Sequence, residues 1–175
     1  MYKVVFLLCC LLLTSVCQAK VFYSKAEAME LAFGAGAKVE KLSLFPMELQ
    51  SQKIRQLARV NKVPSLFTFY VVQEQGKVLK YAAIESHQVR TKPETLLVVL
   101  NALGELEEVH TLAFHEPAEY QPSERWYAQL YALALEELSF NRSVQGITGA
   151  TLSSRAALDS VRLVLAMYQV MIEEK

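Results

Sequence analysis

Near the C-terminus, Thr148, Gly149, Ala150, Thr151, Leu152, Ser153 and Ser154 stand in one unbroken run, and a strongly apolar, helix-like stretch follows at once. Glycine supplies a tight turn that a side chain would block. Small Ala150 leaves room for a ligand, and the hydroxyls of Thr151, Ser153 and Ser154 fall where a helix begins. The first amides of a helix have no partner inside it, and the helix dipole favours negative charge there. A phosphate at Thr151 can therefore be held by the amides of Leu152, Ser153 and Ser154. An ordinary capped helix after a glycine turn carries the same signature, so both readings stand at this point.

The remaining candidates are sparser. His115-Glu116-Pro117 is a loop signal, with Tyr120 and Trp126 shortly after it. Glu116 and His115 can approach a ligand from that loop or simply face solvent. Tyr81, Tyr120 and Trp126 can flank a planar ring or belong to the core. Arg155, one turn into the last helix, can touch phosphate or lie exposed. His87 and His110 lie on predicted strands without ligand spacing, so no metal is expected. Cys9, Cys10 and Cys17 are the three cysteines, and all precede Lys20. From Lys20 onward the chain can form no disulfide, thiolate metal site or dithiol redox site.

Those residues need a scaffold, and the chain divides as follows. Lys3 precedes an apolar run from Val4 to Leu13, and Thr14 to Ala19 ends in small residues. This predicts a secretory signal peptide over 1–19, cut after Ala19; the run is shorter than the ~20 residues of a membrane span. A retained anchor and lipidation at Cys17 are the rival readings. The mature chain is close to neutral, which offers no basic field for nucleic acid. Its length suits one domain with a real core.

Ser24-Lys25-Ala26-Glu27 is a capping box that opens a helix to about Phe33. Lys38 to Phe45 reads as extended, and Pro46 opens a second helix to about Asn61. Leu66 to Glu74 and Val78 to Ser86 form a hairpin around Gln75-Gly76. Thr95 to Ala102 and Leu106 to Phe114 form another around Gly104. Ser123 caps a further helix that buries Trp126, Leu130, Leu133 and Ala134, with a change to loop near Asn141. The last helix buries Ala156, Ala157, Val161, Val164, Leu165, Tyr168 and Met171. The expected class is α+β: an antiparallel sheet of two hairpins packed with helices, including a long C-terminal core helix.

With Thr148-Gly149-Ala150-Thr151-Leu152-Ser153-Ser154, the His115-Glu116-Pro117 loop, Tyr120 and Trp126 in view, the chain resembles the FMN-binding domain family. That module also occurs in the flavin subunits of the Rnf complex and of the sodium-pumping NADH:quinone oxidoreductase. The resemblance covers about 81–168, with 20–80 as a preceding extension and 169–175 as the end of the last helix. It implies an exported, periplasmic or membrane-associated electron-transfer flavoprotein. FMN would be attached by a phosphoester to Thr151 by a separate flavin transferase, and electrons exchanged with membrane or periplasmic redox proteins. Thr148, Gly149, Ala150, Leu152, Ser153, Ser154 and Glu116 would surround the cofactor. Gln145 stands where the family motif usually has an acidic residue, which leaves covalent flavin, noncovalent flavin and a flavin-free binding module open.

Overall fold

The computed structural model describes residues 20–131, 133–140 and 142–174. The expected leader and the expected change to loop at Asn141 lie outside the described residues.

Both hairpins are present. Strands β3 (Phe67–Glu74) and β4 (Lys77–Gln88) meet at Gln75 and Gly76, whose φ values of 50° and 79° suit a two-residue turn that follows the strand twist. Strands β5 (Pro93–Asn101) and β6 (Leu106–Phe114) are joined by a turn in which the Asn101 side chain accepts from the amides of Leu103 (2.9 Å) and Glu105 (3.0 Å). Two further strands extend the sheet. The segment expected to be extended is β2 (Val39–Leu44) and pairs with β3, and a two-residue strand β1 (Lys20–Val21) pairs with β6. The six-stranded order is β1-β6-β5-β4-β3-β2, antiparallel at every pairing. The 80/81 division falls inside β4, so residues before it share one sheet with those after it.

Side chains alternate across this sheet, and each face carries its own core. On one face Ala82, Leu97, Val99 and Leu112 receive helix α1 (Lys25–Phe33) through Ala28 and Ala32, whose small side chains allow close approach. The predicted capping box starts that helix: the Glu27 amide donates to Ser24 Oγ (3.3 Å) and the Ser24 amide donates to Glu27 Oε2 (2.6 Å).

The larger core lies on the opposite face, where Phe69, Tyr81, Leu96, Val98 and Leu100 meet helices α2 (Glu48–Ala58) and α4 (Thr151–Tyr168). Of the residues expected to be buried along the last helix, Ala156 is half-buried and the others are buried. Arg162 in α4 is 8% exposed and fully partnered. It donates to the carbonyls of Ala58 (Nε, 2.8 Å) and Leu138 (Nη1, 3.2 Å) and pairs with Asp159. The guanidinium thus satisfies the negative end of α2 while fixing that helix against α4.

Between β6 and α4 one expectation fails. Ser123 does cap a helix, its Oγ accepting from the Trp126 amide at 3.3 Å, but α3 spans only Glu124–Ala128. Leu133 is half-buried and Ala134 is exposed. Irregular turns replace the helix because Leu130, Leu135 and Leu138 all reach the core from them. Local groups also capture the backbone, as where Glu137 accepts from the Ala134 amide at 3.1 Å. Packing overrides helix propensity here.

Candidate functional site

Helix α4 begins without a side-chain cap. Ala150 occupies the N-cap with φ −120° and ψ 34°, and Thr151 is the first helical residue, exposed. The amides of Thr151, Leu152 and Ser153 belong to the first turn and lack intrahelical acceptors. The Ser154 amide does not join them: it donates to the Ala150 carbonyl at 3.0 Å. The Ser154 hydroxyl is buried and donates to the carbonyls of Ala150 (3.1 Å) and Thr151 (3.2 Å). Ser154 is therefore part of the helix framework, a correction to its expected place in a phosphate cradle. Thr151 Oγ1 donates only a long bond, 3.4 Å to the Ile147 carbonyl, and remains at the surface.

Beside this helix start lies an open cavity of about 530 Å³, bordered by Arg90, Thr91, Glu116, Tyr120, Thr151 and Leu152. Gly149, Ala150 and Ser153 complete the wall formed by the helix start. Its size falls within the roughly 300–1,000 Å³ of small-molecule sites. The structure thus brings the predicted helix start and the predicted Glu116 loop to one opening, although more than thirty residues separate them. Thr148 is not on this wall. It borders a different cavity, of about 730 Å³, together with Gln145 and Trp126.

Glu116 is more occupied than the sequence indicates. Its Oε1 accepts from the Thr91 amide (2.7 Å), the Lys92 amide (2.8 Å) and the Thr91 hydroxyl (3.2 Å). These bonds, led by the Thr91 and Lys92 amides, hold its carboxyl below the ordinary carboxylate range. Glu116 thereby fastens the β4–β5 turn to the loop after β6 and shapes one side of the opening. That turn carries Arg90, the cation among the described residues bordering the cavity. Sequence reasoning passed over Arg90; the available signal was the basic Arg90-Thr91-Lys92 stretch just before Pro93.

Tyr120 is 41% exposed at the cavity and is available to a planar ring. Tyr81 and Trp126 are not. Tyr81 is buried edge-to-face between Phe69 and Tyr168, and Trp126 is buried with its Nε1–H donating to the Gln145 carbonyl at 2.7 Å. The His115 amide donates to the Pro93 carbonyl at 3.1 Å, and the residue does not border the cavity. Arg155 borders an adjoining cavity instead. The described residues contain no cluster of His, Cys, Asp or Glu arranged to hold a metal ion, and no helix among them is long and apolar enough to cross a membrane. No family model, curated protein or solved structure matches the chain.

Proposed function

We propose that the protein is an exported electron-transfer protein that carries FMN at the mouth of helix α4, esterified through its phosphate to Thr151. The observation that supports this most is the single cavity shared by the uncapped helix start, Arg90 and Tyr120. Three first-turn amides and a guanidinium suit a phosphate, because hydrogen bonds to a charged acceptor are stronger than neutral ones. Leu152, 53% exposed, and Tyr120 offer apolar surface to a ring system. The exposed Thr151 hydroxyl is open to a modifying enzyme, here a flavin transferase. Bound flavin would supply one- and two-electron chemistry, while this chain's residues hold the phosphate, orient the ring and limit its contact with water. The donors and acceptors in this reading are membrane or periplasmic redox proteins.

Co-expression with a flavin transferase, denaturation and mass analysis of the peptide containing Thr151 tests the proposal. An FMN adduct on Thr151 is the expected result, lost in Thr151→Ala. If no adduct forms and the native protein also takes up no FMN, the electron-carrier reading is wrong.

A noncovalent phosphorylated ligand is the second reading, and Gln145 favours it. Its exposed side chain replaces the expected acid, and its backbone is tied down, the amide donating to Gln129 Oε1 at 2.7 Å. Uptake of FMN by the native protein without an adduct on Thr151 distinguishes this case. Gln145→Asp should then raise covalent occupancy under limiting transferase; unchanged occupancy removes Gln145 from the explanation.

A further inference from the structure

Near the end of β4, His87 faces Glu94 of β5 directly across the strand pair. His87 Nε2 lies 3.0 Å from Glu94 Oε2, and His87 Nδ1 lies 2.7 Å from the hydroxyl of Ser160 in α4. Two neighbouring strands and the distant helix α4 are thus joined in one hydrogen-bonded line. The polarity of that line follows from chemistry. With Glu94 as a carboxylate, which can only accept, the tautomer that completes the line has its proton on Nε2 and leaves Nδ1 to accept from Ser160. Glu94 is 0% exposed, and its other oxygen accepts from the Tyr127 hydroxyl at 3.2 Å. Burial, first, and the adjacent Glu94 charge push the Tyr127 phenol well above its ordinary pKa, so Tyr127 remains a donor. The carboxylate that orients the imidazole is itself held in place.

Ser160 is only 4% exposed, yet the line does not end in closed core. Here Ser160 and His87 both border a cavity of about 330 Å³. Its apolar wall includes Val60 and Leu163, and Lys62 and Arg155 bring positive charge to it. Glu85 and Asp159 also border it, so the wall carries no net charge and suits a neutral substrate. This cavity shares Val89 and Leu152 with the one at Thr151, but it contains a separate set of reactive groups.

We infer that Ser160, His87 and Glu94 act as nucleophile, general base and positioning carboxylate in the hydrolysis of small, neutral carboxylic esters. Ser160 Oγ forms a bond to the ester carbonyl carbon as His87 Nδ1 takes the hydroxyl proton. Lys62 and Arg155, which both border the cavity, are the groups available to balance the negative charge that develops on the carbonyl oxygen. The carbonyl–alkoxy bond then breaks, and the alcohol departs with the proton from His87. Water attacks the acyl-serine and gives its proton to Nδ1, which returns it to Ser160 as the carboxylic acid is released. The cycle is redox-neutral and requires only ester and water.

The test uses the full chain with p-nitrophenyl acetate and butyrate as substrates and a fluorophosphonate as covalent probe. A label on the peptide containing Ser160 is expected, with hydrolysis falling roughly 100-fold or more in Ser160→Ala and in His87→Gln. Ser160→Ala keeps a strong helix former in α4, and circular dichroism verifies its fold. For the positioning role, Glu94→Gln should reduce kcat about 100-fold with KM within about twofold. If Glu94→Gln does not fold, Tyr127→Phe replaces it and should reduce kcat by a smaller factor with KM unchanged. Absence of label on Ser160 in folded protein overturns the inference, as does hydrolysis unchanged by Ser160→Ala. None of these measurements requires bound flavin, so their outcome is independent of the electron-transfer reading.

Discussion

Gly149 and Gly104 sit near opposite ends of helix α4 with nearly the same left-handed backbone, φ 82° and 81°. Their surroundings differ completely. A Cβ on Gly104 would lie 1.9 Å from Cε1 of Tyr168, far inside van der Waals contact with the ring, whereas one on Gly149 would meet nothing within 4 Å. The Tyr168 hydroxyl also donates to the Ala102 carbonyl at 3.4 Å, so the C-terminal end of α4 is fitted tightly over the β5–β6 turn. At the other end Gly149 has nearly the same φ but faces an opening. One glycine closes the core and the other borders a cavity, and nearly equal φ values do not distinguish them.

Substitution breaks that equivalence most strongly at Gly104. Gly104→Ala should destabilise the fold by about 2–4 kcal/mol, combining backbone strain with an overpacked contact, read by denaturant unfolding. A loss equal to that of Gly149→Ala would show that the ring moves aside freely. Adding Tyr168→Ala sharpens the point: in that background Gly104→Ala should cost about as little as Gly149→Ala, a coupling measurable by a double-mutant cycle. Gly149→Ala itself should cost roughly 1 kcal/mol, from backbone strain alone.

Glu116→Gln should have a smaller and pH-dependent effect. Its folded pKa is lowered, so its contribution to stability is full above the unfolded value of about 4.3 and disappears as pH falls through the folded value. Thermal melts of wild type and variant should differ at pH 6 and converge progressively as pH falls below about 4.3; a difference constant with pH would remove the carboxylate from the account. Thr151→Ala is expected to change stability least, within about 0.5 kcal/mol, because its hydroxyl makes one long bond and alanine favours the helix. A larger loss in the same unfolding experiment would show that Thr151 supports the helix start instead of standing free at it.

Local signals were read well from the sequence where the chemistry itself is local. The Ser24–Glu27 capping box acts over three residues, and both hairpins announce themselves through alternation around glycine turns. The two-residue β1 is too short to show a period. The turns after α3 contradict their own helix propensity because Leu130, Leu135 and Leu138 are recruited by the core. At the candidate site, the position of Thr151 at the helix start was legible from its motif, but the engagement of Ser154 and Glu116 with backbone was not. Arg90 reached the cavity only through the β4–β5 turn. Ser160 and His87 are 73 residues apart, and neither position carries a motif; only the sheet register and the rotation of α4 bring them together.

Apart from β1, each strand lies beside its neighbour in sequence, from β2 through to β6. Such a meander can assemble progressively while the polypeptide is being made, since from β3 to β6 every new pairing closes a short loop. Of the two helices on its larger apolar face, α4 follows every strand in sequence. A chain that has not yet formed α4 therefore leaves part of the face that includes Phe69, Leu96 and Val98 covered by α2 alone, a form that invites chaperone binding.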